Sequence, residues 1–228
     1  MKHRILFFLF VSFTSLIMGQ IHEVGVSLGG TNYVGDIGRN TYIYPNKPAG
    51  AAFYKYNWNP RIALRATFSY LPISGNDLDA DTSFRKNRTT GALNFTNDIK
   101  ELALGLEYNF YDYDLSSDDK TWTPYILLEL VGFNYTNVQS YDTSGQIVYG
   151  NKTSYALPFG LGFKSKLYGT LAFALEAKFR YTFEDDLDYV SNKSPNINLE
   201  GTGNDWYMFT GISVIYTFGR PACYTKGL

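Results

Sequence analysis

Residues 171–183 read Leu-Ala-Phe-Ala-Leu-Glu-Ala-Lys-Phe-Arg-Tyr-Thr-Phe. Leu171, Phe173, Leu175, Ala177, Phe179, Tyr181 and Phe183 fall on one face of an extended chain. Ala172, Ala174, Glu176, Lys178, Arg180 and Thr182 fall on the other. Successive side chains of a strand point to opposite faces, so a period of two marks β-structure, where a helix repeats every 3.6 residues. The run exceeds an ordinary strand of about 5–6 residues and fits a tilted membrane strand of about 9–11 residues with its ends.

The same alternation recurs on either side. In 61–70, Ile62, Leu64, Ala66, Phe68 and Tyr70 oppose Arg65, Thr67 and Ser69. In 99–110, Leu102, Leu104, Leu106, Tyr108 and Phe110 oppose Glu101, Ala103, Gly105, Glu107 and Asn109. The last segment places Met208, Thr210, Ile212, Val214, Tyr216 and Phe218 on one face. Four less regular segments lie near 22–30, 50–58, 123–135 and 155–166, and 125–131 is apolar on both faces except for Glu129. Short connections (58–60, 167–170) and a medium one (111–121) alternate with long polar ones (31–48, 71–98, 137–153, 184–205). Short turns at one end and long loops at the other predict an all-β, eight-stranded antiparallel transmembrane β-barrel, with the short turns periplasmic. A β-sandwich also holds eight strands, but it does not call for aromatic-rich faces pointing outward.

The rest of the chain fits an exported barrel. Lys2, His3 and Arg4 precede an apolar run from Ile5 to Met18, and Gly19 offers a small residue before Gln20. This predicts a signal peptide over 1–19, a barrel over 20–218 and a periplasmic tail over 219–228. The run is short for a transmembrane anchor of about 20 residues and is followed by no positive stop signal. No cysteine lies near the cut to carry a lipid. Lys and Arg number 20 against 21 Asp and Glu, so the basic excess that nucleic-acid binding requires is missing. Twenty tyrosines and 21 glycines suit strands, interfacial belts and tight turns.

If the polar faces point inward, the lumen holds Glu23, Glu101, Glu107, Glu129 and Glu176 against Lys55, Arg65, Lys164, Lys178 and Arg180. An eight-stranded barrel is just wide enough for side chains to fill. Buried charges are tolerated when paired, so this balance predicts a structural charge network rather than a channel, with Gly105, Gly160 and Gly162 making room for the long basic stems. A narrow gated pore is the rival reading.

Candidate chemistry is sparse. His3 lies in the leader, which leaves His22 as one imidazole for the mature chain and argues against Ser-His or His-metal sites. No phosphate loop, paired-Cys motif or zinc signature is present, so no enzyme activity, cofactor or small-molecule substrate is expected. The clusters Asp112, Asp114, Asp118, Asp119 and Glu184, Asp185, Asp186, Asp188 lack EF-hand spacing, and read as solvated loop charge rather than a Ca²⁺ site. Cys223 is unpaired, which leaves a free thiol or an intermolecular disulfide.

The segments Glu23-Val24-Gly25 and Gly29-Gly30-Thr31-Asn32-Tyr33-Val34-Gly35-Asp36 resemble the opening of PorG-type barrels, outer-membrane components of the type IX secretion system of Bacteroidetes. Tyr56-Asn57-Trp58-Asn59-Pro60-Arg61, Leu93-Asn94-Phe95 with Asn97, Ile99 and Glu101, Leu106-Glu107-Tyr108-Asn109-Phe110, Pro158-Phe159-Gly160-Leu161-Gly162-Phe163-Lys164 and Phe183-Glu184-Asp185-Asp186-Leu187-Asp188-Tyr189-Val190-Ser191 extend the likeness over nearly the whole mature chain. It departs at Glu184-Asp185-Asp186, where the family pattern has Thr-Asp-Tyr. The resemblance implies a non-enzymatic outer-membrane part of a protein-export machine, linked in some members to gliding motility. Its partners would be the periplasmic ring proteins PorK and PorN. The periplasmic rim would make the contact, with Trp58, Arg61, Cys223 and Tyr224 as candidate residues; Trp58, Trp122 and Tyr168 also suit membrane-interface anchors. The alternative is a small OmpX- or OmpA-like barrel that binds extracellular ligands through its long loops. A lipid-modifying barrel enzyme is a third class, disfavoured by the histidine count.

Overall fold

A computed structural model describes residues 21–88, 91–114, 121–141, 146–190 and 203–219. Eight strands follow one another: β1 (Ile21–Val34), β2 (Lys47–Asn57), β3 (Ile62–Asn76), β4 (Asn94–Asn109), β5 (Trp122–Tyr141), β6 (Ile147–Tyr168), β7 (Leu171–Thr182) and β8 (Trp206–Phe218). Each pairs antiparallel with the next, and β8 returns to β1, from His22 opposite Phe218 to Val34 opposite Trp206. The ring has no free edge, so every strand finds a ladder partner on both sides. The chain is an eight-stranded antiparallel β-barrel.

The burial of this barrel is inverted relative to a water-soluble protein. Leu28, Leu104 and Leu130 on its outer face are 70%, 63% and 69% exposed, while Glu23, Lys55 and Glu107 inside are 0% exposed. Val26, Phe68, Leu128, Leu161, Ile212 and Val214 extend the exposed apolar band around the ring. Aromatic residues fringe it: Tyr54, Tyr108, Phe110, Trp122, Tyr216 and Phe218 toward the short-turn end, and Tyr70, Tyr155 and Phe183 toward the other. An apolar band between aromatic girdles is the outer surface that lipid requires of a barrel. Among the described residues no helix is long and apolar enough to cross a membrane.

All eight expected strands are present, most of them longer at the long-loop end. The largest difference is at 137–153, expected as a loop. There β5 and β6 pair as far as Tyr141 and Ile147, with an irregularity between Val138 and Ser140. This ribbon rises above the ring, where neither face needs burial, so polar residues such as Asn137 and Asn151 are compatible with a ladder. At the other end, Gly169 takes a φ of 54° in the tight turn between β6 and β7, a conformation glycine adopts without strain.

A second difference concerns Met208, which is buried although it faces outward. The connection after β1 (35–46) folds back over it. Asn32 donates to the carbonyls of Thr41 and Tyr42 at 3.1 and 3.2 Å, and the Tyr42 ring meets Trp206 edge-on.

Candidate functional site

The lumen is organised in tiers. Nearest the short turns, Lys55 and Lys164 converge on one carboxylate, Glu107, at 2.7 and 2.6 Å. Glu23 lies 4.0 Å from Lys55 and accepts from Asn57 at 3.3 Å. In the next tier Arg65 forks onto Glu176 at 2.5 and 3.3 Å, also reaches Glu107 at 3.5 Å, and stacks over the Phe53 ring at 4.0 Å. The Tyr125 hydroxyl donates to Glu176 at 2.7 Å. Above this, Lys178 meets Glu129 at 2.9 Å, and Thr67 donates to the other Glu129 oxygen at 3.0 Å. Arg180 then grips Glu101 with two bonds of 2.8 and 3.1 Å. All ten charges named from the sequence line the interior, and each acid has a basic neighbour. A bidentate Arg–carboxylate fork fixes orientation as well as charge, so the tiers hold the strands in register across the barrel.

The glycines serve the expected purpose only in part. A Cβ on Gly162 would fall 2.2 Å from the Tyr125 ring, and one on Gly105 would meet the Glu129 stem at 2.7 Å. Only at Gly160 is the neighbour a basic stem, that of Lys178 at 3.2 Å. Inward aromatic rings therefore take up much of the space. They were hard to foresee, because Phe53 and Tyr125 stand on strands with weak alternation.

Toward the long loops the charged tiers give way to an apolar core of Leu71, Ile73, Ile99, Val131, Phe133 and Phe209, joined from the last loop by Leu187 and Val190. The acidic segment 184–190 thus enters the mouth and is not simply solvated. Lys152 binds Glu184 and Asp186 at 2.6 and 2.9 Å, and Tyr135 donates to Asp186. Asp188 is buried, as is Asp205 just before β8, and both accept from the Tyr33 hydroxyl. Burial pushes the Asp188 carboxyl above the usual range. Burial, and then the charge of Asp188, do the same to Asp205. Tyr189 is held at a φ of 69°, costly for a bulky residue. Its hydroxyl bonds the Thr96 carbonyl at 3.0 Å, and its ring packs against Phe95 and Tyr149.

At the opposite rim Arg61 bonds Asp112 at 2.6 Å and the Phe110 carbonyl at 3.0 Å, tying the first short turn to the second. Trp58, Trp122 and Tyr168 are 69%, 51% and 87% exposed. Tyr113 closes the floor, its ring 4.4 Å under the Lys164 ammonium. Glu23 Oε1, Asn109 Oδ1 and the Tyr113 hydroxyl are buried there with no partner among the described residues. Residues 1–19, Asp118, Asp119, Cys223 and Tyr224 lie outside the described residues. His22 stacks between Tyr54 and Phe218 in the aromatic fringe, and among the described residues no group of three His, Cys, Asp or Glu is placed to hold a metal.

Residues 2–227 match the model of a family described as "Domain of unknown function (DUF6089)". No curated relative matches the sequence. Among solved structures the chain is similar to Neisserial surface protein A, at 12% identity over 86% of this chain and 97% of that one, with a TM-score of 0.49. It is similar also to the attachment invasion locus protein Ail of Yersinia pestis, at 12% identity over 88% and 100%, TM-score 0.47. A third is the N-terminal β-barrel domain of Pseudomonas aeruginosa OprF, at 13% identity over 86% and 97%, TM-score 0.46.

Proposed function

The chain belongs to the DUF6089 family, and from its filled barrel and lipid-facing band we propose that it is a non-conducting, non-enzymatic outer-membrane component that anchors a periplasmic assembly. The observation that carries this reading is the lumen. Ten paired charges and inward aromatic rings fill the described interior, and this reading therefore places the work at the rims. The finer proposal follows the PorG-type resemblance: a part of the type IX protein secretion and gliding machinery, exported by a cleaved leader and docked on a PorK/PorN-type ring. Trp58 and Arg61 support it as parts of the rim that faces the periplasm, Arg61 being held in place by Asp112. Cys223 and Tyr224 extend that surface in the proposal, with Cys223 free to form an intermolecular disulfide.

The test is co-purification from native membranes. Ring proteins are expected with the full chain, and in reduced yield after deletion of 220–228 or with Arg61→Glu. A higher band without reductant that disappears in Cys223→Ser would reveal the disulfide. Full recovery of the barrel with no ring protein overturns the anchoring reading.

A further inference from the structure

β2 starts only at Lys47, opposite Thr31, whereas β1 runs on to Val34 and β3 to Asn76. Above the end of β2 the wall therefore lacks one strand. β1 and β3 meet across this gap through the bond from the Thr31 hydroxyl to the Pro72 carbonyl. The connection 35–46 passes over the gap and leaves beside it a cleft of about 460 Å³, inside the range of about 300–1,000 Å³ of small-molecule sites. Arg39, Tyr44 and Asn46 line one side, and Asn76, Asp79 and Asn94 the other.

We infer that this cleft binds a neutral pyranose unit of a glycan at the outer rim of the barrel. The lining is rich in amides, each offering both donors and acceptors, as vicinal sugar hydroxyls require. Several of these groups are uncommitted among the described residues. Asn46 uses its Nδ2 on the Ser74 carbonyl at 3.1 Å and keeps its oxygen, and Asn76 uses its oxygen on Leu78 N–H at 2.9 Å and keeps its Nδ2. Arg39 Nε is buried with no hydrogen-bond partner among the described residues, and its guanidinium lies 4.4 Å over the Tyr44 ring. The exposed Tyr44 ring offers the flat apolar surface on which the C–H face of a sugar packs. The charged lining residues are Arg39 and Lys47 against Asp79, one cation in excess, so an anion is the rival that the charged comparison probes test, and one carboxylate is too few for a cation. The cleft lies at the rim opposite the one assigned to the ring, so the two proposals stand or fall separately.

The test uses the full chain folded in detergent micelles and saturation-transfer NMR. The probes are methyl glycosides of glucose, galactose, mannose and N-acetylglucosamine, with galacturonate and inorganic phosphate as charged comparisons. A saturable signal is expected from at least one neutral glycoside. Its affinity should fall about tenfold in Asn76→Ala and in Asn94→Leu, the loss of roughly one hydrogen bond in a polar site. Phe84→Ser, on an exposed residue outside the cleft, should leave it unchanged, and heat-modifiable migration on gels verifies that each variant is folded. No signal from any neutral glycoside, binding of galacturonate or phosphate alone, or equal affinity in both cleft variants overturns the inference.

Discussion

The hydroxyl of Tyr33 lies 2.9 Å from Asp188 Oδ2, although 155 positions separate the two residues in the chain. The same hydroxyl also contacts Asp205, so the top of β1 is fastened to both ends of the last long connection. One hydroxyl proton serves two buried carboxylates, and that arrangement is most stable while a carboxyl retains its own proton.

The mouth should therefore loosen as pH rises. Both carboxyls titrate above their unfolded range, so the folded state holds protons that the unfolded chain has lost. Their contribution is fully present below the ordinary carboxylate pKa of about 4 and fades as pH climbs through the raised values. Asp36 and Asp185 add negative charge nearby and act in the same direction. The amides of Leu187 and Val190, which bond Asp205 and Asp188 at 3.0 Å, should exchange faster at pH 8.5 than at pH 5 after correction for intrinsic rates. Asp205→Asn should flatten the difference, and an unchanged slope in that variant contradicts the assignment.

Glu107→Ala should destabilise the barrel by about 3–5 kcal/mol, because Lys55 and Lys164 are left buried without their shared acid. Urea unfolding in lipid vesicles measures this. Asp112→Ala removes an exposed pair with Arg61 and should produce no resolvable change. Equal effects of the two would mean that the lumen is hydrated.

Leu104→Arg tests the membrane reading directly. Leu104 is exposed in the middle of the apolar band. A charge there should cost about 2–4 kcal/mol in a bilayer, and nothing if the outer face were in water. Folding equilibria in vesicles of defined lipid separate these outcomes.

Purified protein in planar bilayers should show no steady conductance, since paired charges and the Phe53, Tyr113 and Tyr125 rings occupy the interior. Reproducible openings of constant size would restore the gated-pore reading.

An epitope inserted within 77–93 or 142–146 should be labelled on intact cells, while one placed after Gly219 should require permeabilisation. The opposite pattern would put the short turns on the outside of the cell and the long loops in the periplasm.

Residue order alone was enough for the eight strands, for the outward faces of the four regular ones, and for the ten charges of the lumen. The reason is local: in an extended chain, position i and position i+2 share a face, so Glu101 and Glu107 had to oppose Leu102 and Leu106 whatever lay beside them. Which acid meets which base was decided only by closing the ring, since Arg65 and Glu176 lie on strands far apart in the chain and meet across the interior. The same holds for the parts outside the ladder. Asp188 reads as loop charge until Tyr33 and Leu187 surround it, and Met208 reads as lipid-facing until the connection after β1 covers it. The ribbon at 137–153 looked like a loop because its polar residues break the apolar pattern, yet backbone pairing in water does not need that pattern. Strand faces follow a rule of neighbours two residues apart, whereas plugs, clefts and ion-pair choices depend on contacts that exist only once distant strands have met.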